Sequence, residues 1–307
     1  MLGAMSTPAP RWFTSPPHGP GEPDVVAVDG VDIAHRVWGD AVAPGLVLVH
    51  GGAGHLQWWA PLAGLLADRY RVIALDLSGH GDSGWRERYD LGRWCEEVMA
   101  VAGRHLSGPA TIVGHSMGGA VAAACAVRHG HDLSGVIVLD APVWRDTAEV
   151  HQEYAERSFS RLRTYPTREE AVGRFRLVPE QPCPNPWFIR HVATHSVREV
   201  DGGWTWKFDP RVFSARDRTH LRADEFGGHL HEAVCPLAMV IGARSYLAND
   251  PFPQAVRRGE PVAGSATSMP LHEVADAAHH LLLDQPVAVA QLISRLAAWD
   301  RGDAQSA

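Results

Sequence analysis

The chain has 307 residues, a formal net charge of −7 and 21% charged residues. That is the composition of an ordinary globular protein, long enough for one large α/β domain or two smaller ones. Without a basic block it offers nucleic acid or an anionic membrane nothing to hold, and no apolar run approaches the length that crosses a bilayer. The cysteines Cys95, Cys125, Cys183 and Cys235 lie far apart with no metal-type spacing, which reads as free thiols in a reducing compartment. Residues 1–23 are rich in Pro, Gly and Ser and lack the apolar centre of a signal peptide; a disordered tail on a soluble, cytoplasmic protein is expected.

From Asp24 the pattern turns strand-like: VVAVDG and VDIAHRVWG read as two strands joined by an Asp-Gly turn. GLVLVH (Gly45 to His50) is a continuous apolar run, as expected of a strand buried on both faces. A helix over Trp59 to Arg69, the strand RVIALD (Arg71 to Asp76), a helix over Asp90 to Leu106 and the strand ATIVG follow. A helix then begins after Ser116, and GVIVLD (Gly135 to Asp140) is the next strand. This alternation predicts a mostly parallel sheet flanked by helices.

The rhythm breaks after Pro142. Residues 143–223 carry irregular helical patterns with Trp144, Trp187, Trp204 and Trp206, and read as a helical cap inserted into a core of residues 24–142 and 224–302. Strands resume at PLAMVIG (Pro236 to Gly242) and PLHEV (Pro270 to Val274), and a final helix starts at Pro286. Val289, Leu292, Ile293 and Leu296 give that helix one apolar face.

Chemistry concentrates at strand ends. In Gly114-His115-Ser116-Met117-Gly118 one serine stands between two glycines where a strand meets a helix. Such a turn projects a serine hydroxyl above the sheet, and the following helix N-terminus aims its dipole and the Met117 N–H at a developing anion. With HGGAGH (His50 to His55) and DLSGHGDSG (Asp76 to Gly84), each following a buried strand, this GHSMGG turn is similar to the α/β-hydrolase superfamily in its cap-bearing branch, over Asp24 to Trp299.

The resemblance implies an α/β-hydrolase fold in which Ser116 is the nucleophile. The backbone N–H groups of Met117 and Gly52 would form the oxyanion hole, with Ala53 an alternative to Gly52. It also implies a late histidine as base. His279 matches the family spacing to Pro286 better than His280, which is the alternative. The family's usual acid position, in a G-x-x-D turn, reads Gly242-Ala243-Arg244-Ser245 here. A second position, used in haloalkane dehalogenases and zearalenone lactonases, falls on Asp140, and Asp250 is the alternative acid. Imidazole needs such a carboxylate to fix its tautomer.

A serine at the elbow points to acyl transfer, and ester or lactone cleavage of a small apolar or aromatic molecule is expected, with Trp144 and Trp187 as substrate contacts. Carbon–carbon bond hydrolysis and a non-catalytic small-molecule receptor are the alternatives. No metal site or cofactor is implied, the partner is a small-molecule substrate, with neither nucleic acid nor membrane, and the chain is expected to be a monomer or homodimer.

Overall fold

The computed structural model describes residues 8–141, 143, 159, 162–213, 232–258 and 269–298. In chain order its strands are β1 Glu22–Val28, β2 Val31–Trp38, β3 Gly45–Val49, β4 Arg71–Leu75, β5 Ala110–His115, β6 Leu133–Leu139, β7 Val197–Val200, β8 Gly203–Trp206, β9 Leu237–Gly242 and β10 Leu271–Val274. Asp29 and Gly30, both at positive φ, make the tight turn of the β1–β2 hairpin.

Eight strands form one sheet in the order β1-β2-β4-β3-β5-β6-β9-β10. The β1–β2 and β2–β4 pairs are antiparallel and the pairs from β4 to β10 are parallel. β3 shows why the apolar runs are continuous. Val47 and Val49 join the apolar layer packed under the helices Leu91–His105 and Met117–His129, whereas Leu46 and Leu48 join the opposite layer with the helices Ala60–Leu66 and Pro286–Leu296. A period of two sends alternate side chains to the two faces, and each buried Leu or Val stabilises by about 1.5–3 kcal/mol.

The helices start where their sequences allow. Asp90 caps Leu91–His105 by accepting the Arg93 N–H, and Pro286 fills the first turn of Pro286–Leu296. Among the described residues all four cysteines are free thiols, and no helix is long and apolar enough to cross a membrane.

Two expectations are corrected. Residues 1–23 are not all a loose tail: Arg11–Thr14 is a helical turn and Glu22 already begins β1. The cause lies in Trp12 and Phe13, whose rings sit 5.7 and 4.4 Å from that of Trp187; composition counted the prolines and passed over these apolar anchors. The inserted segment is not wholly helical either. It holds the helices Arg168–Gly173 and Pro186–His195, but also the hairpin β7–β8, turned at Asp201-Gly202. Tyr165 bridges to Trp204, and His80 to Phe208, so strand-like pairing ties the insertion to itself and to the core. Trp144 and the boundary at 223–224 lie outside the described residues.

Candidate active site

Three strand ends build the site. At the end of β5 the chain turns sharply through Ser116, whose φ of 54° and ψ of −120° lie in a region that costs a non-glycine residue free energy. Close packing enforces the turn: a Cβ on Gly114 would stand 1.9 Å from the Gly118 carbonyl oxygen, and one on Gly118 would stand 2.4 Å from that of His50. The Ser116 N–H is held by the Leu139 carbonyl at 2.9 Å, which locks the elbow onto β6. The small residues of Met117–His129 then let that helix lie directly on the sheet.

Ser116 Oγ lies 3.1 Å from His279 Nε2, and His279 Nδ1 lies 2.8 Å from Asp140 Oδ1. The imidazole and the carboxylate are buried, Asp140 completely. With the proton on Nδ1 donating to Asp140, Nε2 keeps its lone pair toward the serine hydroxyl. Asp140 itself sits at φ 44°, just past the end of β6. Its Oδ1 also accepts the Ser245 hydroxyl at 2.6 Å, and its Oδ2 accepts the Gly242 N–H at 2.7 Å. Ser245, standing where the resemblance led one to look for an acid, thus supports the carboxylate. Asp250 instead precedes the helix Pro251–Arg257 and accepts the Gln254 N–H through its carbonyl. Both ring nitrogens of His279 are already engaged by Ser116 and Asp140.

The neighbouring histidines are held neutral. His115 Nε2 donates to the His279 carbonyl at 2.8 Å, and burial among other imidazoles pushes its pKa down to about 3. His280 contacts the Pro179 carbonyl through Nε2 and sits 5.3 Å from the Trp58 ring; burial drives its pKa far below the ordinary value.

The loop after β3 passes over the serine. His50 pins it, receiving the Leu77 N–H at Nε2 and donating from Nδ1 to the Gly51 carbonyl, and burial lowers its pKa to about 4. Asp76 anchors the facing loop by accepting the N–H groups of Leu56 and Asp82; burial raises this carboxyl to about 7. Among the described residues, neither the Gly52 N–H nor the Met117 N–H has a hydrogen-bond partner. Ala53 is held at φ 54° beside them.

A cavity of about 460 Å³ lies between this loop and the inserted segment. Its walls include Gly52, Trp58, Phe175, Trp206, Phe208 and His280. Ser116 and His279 are not part of its wall, but Gly52 and Ala53 of the loop after β3 and His280, the neighbour of His279, are. Trp187 is not among the lining residues. It stacks on Phe188 at 5.7 Å and covers the N-terminal helical turn, so its expected substrate contact gives way to a packing role. Trp58 and Trp206 hold the aromatic wall instead. The alternation in GWTW of β8 carried that signal, and a helical reading of the insertion obscured it.

This elbow, imidazole and carboxylate on an eight-stranded sheet of that order define a hydrolase-type α/β protein. The chain belongs to the alpha/beta hydrolase family, whose family model matches residues 46–292. It is similar to an esterase of Mycobacterium tuberculosis, 27% identical over 280 residues that span 88% of each chain. A bifunctional esterase/perhydrolase of Acinetobacter calcoaceticus is 34% identical over 122 residues, 39% of this chain and 44% of that protein. Among solved structures, a thioesterase domain from the curacin biosynthetic pathway aligns with a TM-score of 0.71 at 23% identity, over 89% of this chain and 99% of that one. At that identity the structural likeness carries the fold and no more.

Proposed function

We propose that the protein is a serine hydrolase that cleaves a carboxylic ester or lactone through an acyl-enzyme. The observation that carries this reading is the continuous relay from Ser116 Oγ through His279 to Asp140, beside two backbone N–H groups with no hydrogen-bond partner among the described residues.

As the hydroxyl attacks the carbonyl carbon, His279 Nε2 takes its proton and Asp140 stabilises the imidazolium that forms. The carbonyl oxygen, now an oxyanion, is received by the N–H groups of Gly52 and Met117, with the helix N-terminus behind the latter. His279 then returns the proton to the departing alkoxide. Water, deprotonated by the same Nε2, attacks the acyl-enzyme, and as the acyl–oxygen bond breaks the proton passes from Nε2 to Ser116 Oγ and the acid is released. An ester linkage is favoured over an amide because the alkoxide is the easier leaving group for this constellation. The similarity to one esterase over most of the chain points the same way.

A fluorophosphonate probe tests the reading directly. It is expected to label Ser116 stoichiometrically, and the label is expected to vanish in Ser116→Ala. Short- and medium-chain p-nitrophenyl esters are expected to be turned over. Absence of both label and turnover, with small-molecule binding retained, would assign the protein to non-catalytic receptors instead.

A further inference from the structure

The cavity beside the oxyanion loop is not uniformly apolar. Besides its aromatic wall it is lined by Arg163, Arg174 and Arg176, and among the described residues no carboxylate contributes to its lining. The chain as a whole carries a net charge of −7, so this concentration of guanidinium runs against its average. Among the described residues, none of the three is in a salt bridge, which they share with Arg36, Arg69, Arg71, Arg168 and Arg198, whereas Arg86, Arg93, Arg104, Arg211, Arg244 and Arg257 each have a carboxylate within bridging distance. Arg176 is tethered through Nη1 to the Phe175 carbonyl at 2.6 Å, a bond that holds the head group in place without neutralising it.

The segments that carry the arginines are fixed to the rest of the insertion. Tyr165 pairs with Trp204, and the Arg163 carbonyl accepts the Thr205 hydroxyl at 2.9 Å. Trp58 shares the wall through its ring, 6.5 Å from that of Phe175, and its buried indole N–H has no partner among the described residues. Every charged side chain in the described wall is thus a cation. A planar guanidinium with several donors is the side chain best suited to a carboxylate.

Resting on the serine-hydrolase reading, we infer that the substrate is an ester bearing a second, free carboxylate remote from the scissile bond, and that Arg163, Arg174 and Arg176 select it. The cavity walls then divide the recognition. Trp58, Phe175, Trp206 and Phe208 cover the apolar body, while the arginines receive the acid at the rim. The carboxylate belongs either to the acyl part or to the alcohol part, since both leave the same charge in the cavity.

Two matched pairs of chromogenic esters test this. One compares the p-nitrophenyl half-ester of octanedioic acid with p-nitrophenyl octanoate. The other compares butyrate esters of p-nitrophenol with and without a ring carboxylate. In at least one pair kcat/KM is expected to favour the acidic ester, and that pair tells which side carries the acid. Replacement of Arg163, Arg174 and Arg176 by Gln is expected to lower the ratio by about fivefold for each arginine that contacts the carboxylate. Raising the salt from about 20 mM to about 0.5 M is expected to shrink it further by screening exposed charges. Preference for the neutral ester in both pairs, or a ratio untouched by the triple replacement, would overturn the inference.

Binding keeps the test independent of turnover. In Ser116→Ala, tryptophan fluorescence from the cavity is expected to report tighter binding of octanedioate than of octanoate, and the difference is expected to disappear with the three Arg→Gln changes. Equal binding of the two acids overturns the inference. Missing turnover and missing fluorophosphonate label count against the hydrolase reading alone.

Discussion

Asp140→Asn replaces one oxygen by NH₂ at almost constant volume, yet three donors converge on that carboxylate. His279 Nδ1 and the Ser245 hydroxyl reach Oδ1, and the Gly242 N–H reaches Oδ2. An asparagine has one acceptor to offer. If its carbonyl stays at the Oδ1 position, its NH₂ faces the Gly242 N–H, donor against donor, in a place the backbone cannot vacate. The opposite orientation satisfies Gly242 and lets the Ser245 hydroxyl rotate to accept, but it points NH₂ at His279 Nδ1. That nitrogen must then be the acceptor, and the proton moves to Nε2, where it blocks removal of the Ser116 proton.

The charge that stabilises the imidazolium is lost as well. Inverting the tautomer in a serine–histidine relay lowers kcat by about 10⁴, equivalent to about 5.4 kcal/mol of barrier. Steady-state hydrolysis of p-nitrophenyl butyrate measures it, with circular dichroism to verify that the fold persists. Asp250→Asn, outside the relay, is expected to keep kcat within about threefold of wild type. An Asp140→Asn protein with more than a tenth of wild-type kcat, or a larger loss at Asp250, would refute the assignment of the acid.

Exchanging the two side chains, Asp140→Ser with Ser245→Asp, is expected to recover part of the activity lost in Asp140→Asn, measured with the same ester. Gly118→Ala drives a Cβ to 2.4 Å from one backbone oxygen and 2.5 Å from another, so it is expected to cost more than about 4 kcal/mol in urea unfolding. Gly103→Ala, on a helix with nothing within 4 Å, is expected to add about 0.5–1 kcal/mol. Acid is expected to destabilise the fold: His50, His55, His80, His115 and His280 all bind protons more weakly when buried. The unfolded chain therefore takes up more protons below about pH 6.5, and unfolding free energy falls as pH drops toward the folded value of about 4 for His50. Asp76, raised to about 7, works in the opposite direction between about pH 3.9 and 7, as do Glu97 and Asp284, so urea titrations at pH 6.5 and 4.5 read the balance, expected to favour the more numerous histidines.

The sheet was legible because its signals are local. β3, β4, β5, β6 and β9 are apolar runs bounded by glycine, histidine or aspartate, and their lengths fit buried parallel strands. The elbow glycines and the Asp29-Gly30 turn likewise depend on residues adjacent in sequence. What local pattern could not give was assembly. The insertion's hairpin is two four-residue strands, each too short for its alternation to outweigh the helical patterns around it, and pairing across Asp201-Gly202 is what makes them a sheet. Trp187 shows the same limit, since its partners Trp12 and Phe13 lie far away in sequence. The arginine-lined cavity gathers residues from the insertion, the loop after β3 and the His280 segment, and nothing in their order announces that they meet.

The position of the Asp140 carboxylate follows from the parallel pairing of β6 and β9. Leu139 pairs with Val240, and the Asp140 N–H bonds to the Val240 carbonyl at 2.8 Å, so the chain leaves both strands at nearly the same height. A side chain leaving β6 at residue 140 and one in the turn after β9 at residue 245 therefore converge on one point beneath the imidazole, as the 2.6 Å contact between Asp140 and Ser245 shows. The imidazole requires a carboxylate at that point and does not require it to come from a particular strand. Once Asp140 fills it, a carboxylate at 245 would put two like charges within hydrogen-bonding distance in a buried place, which is costly unless one of them holds a proton. A hydroxyl there removes the repulsion and supplies a donor to the carboxylate. The serine at the usual acid position is thus the physical counterpart of the aspartate on the neighbouring strand.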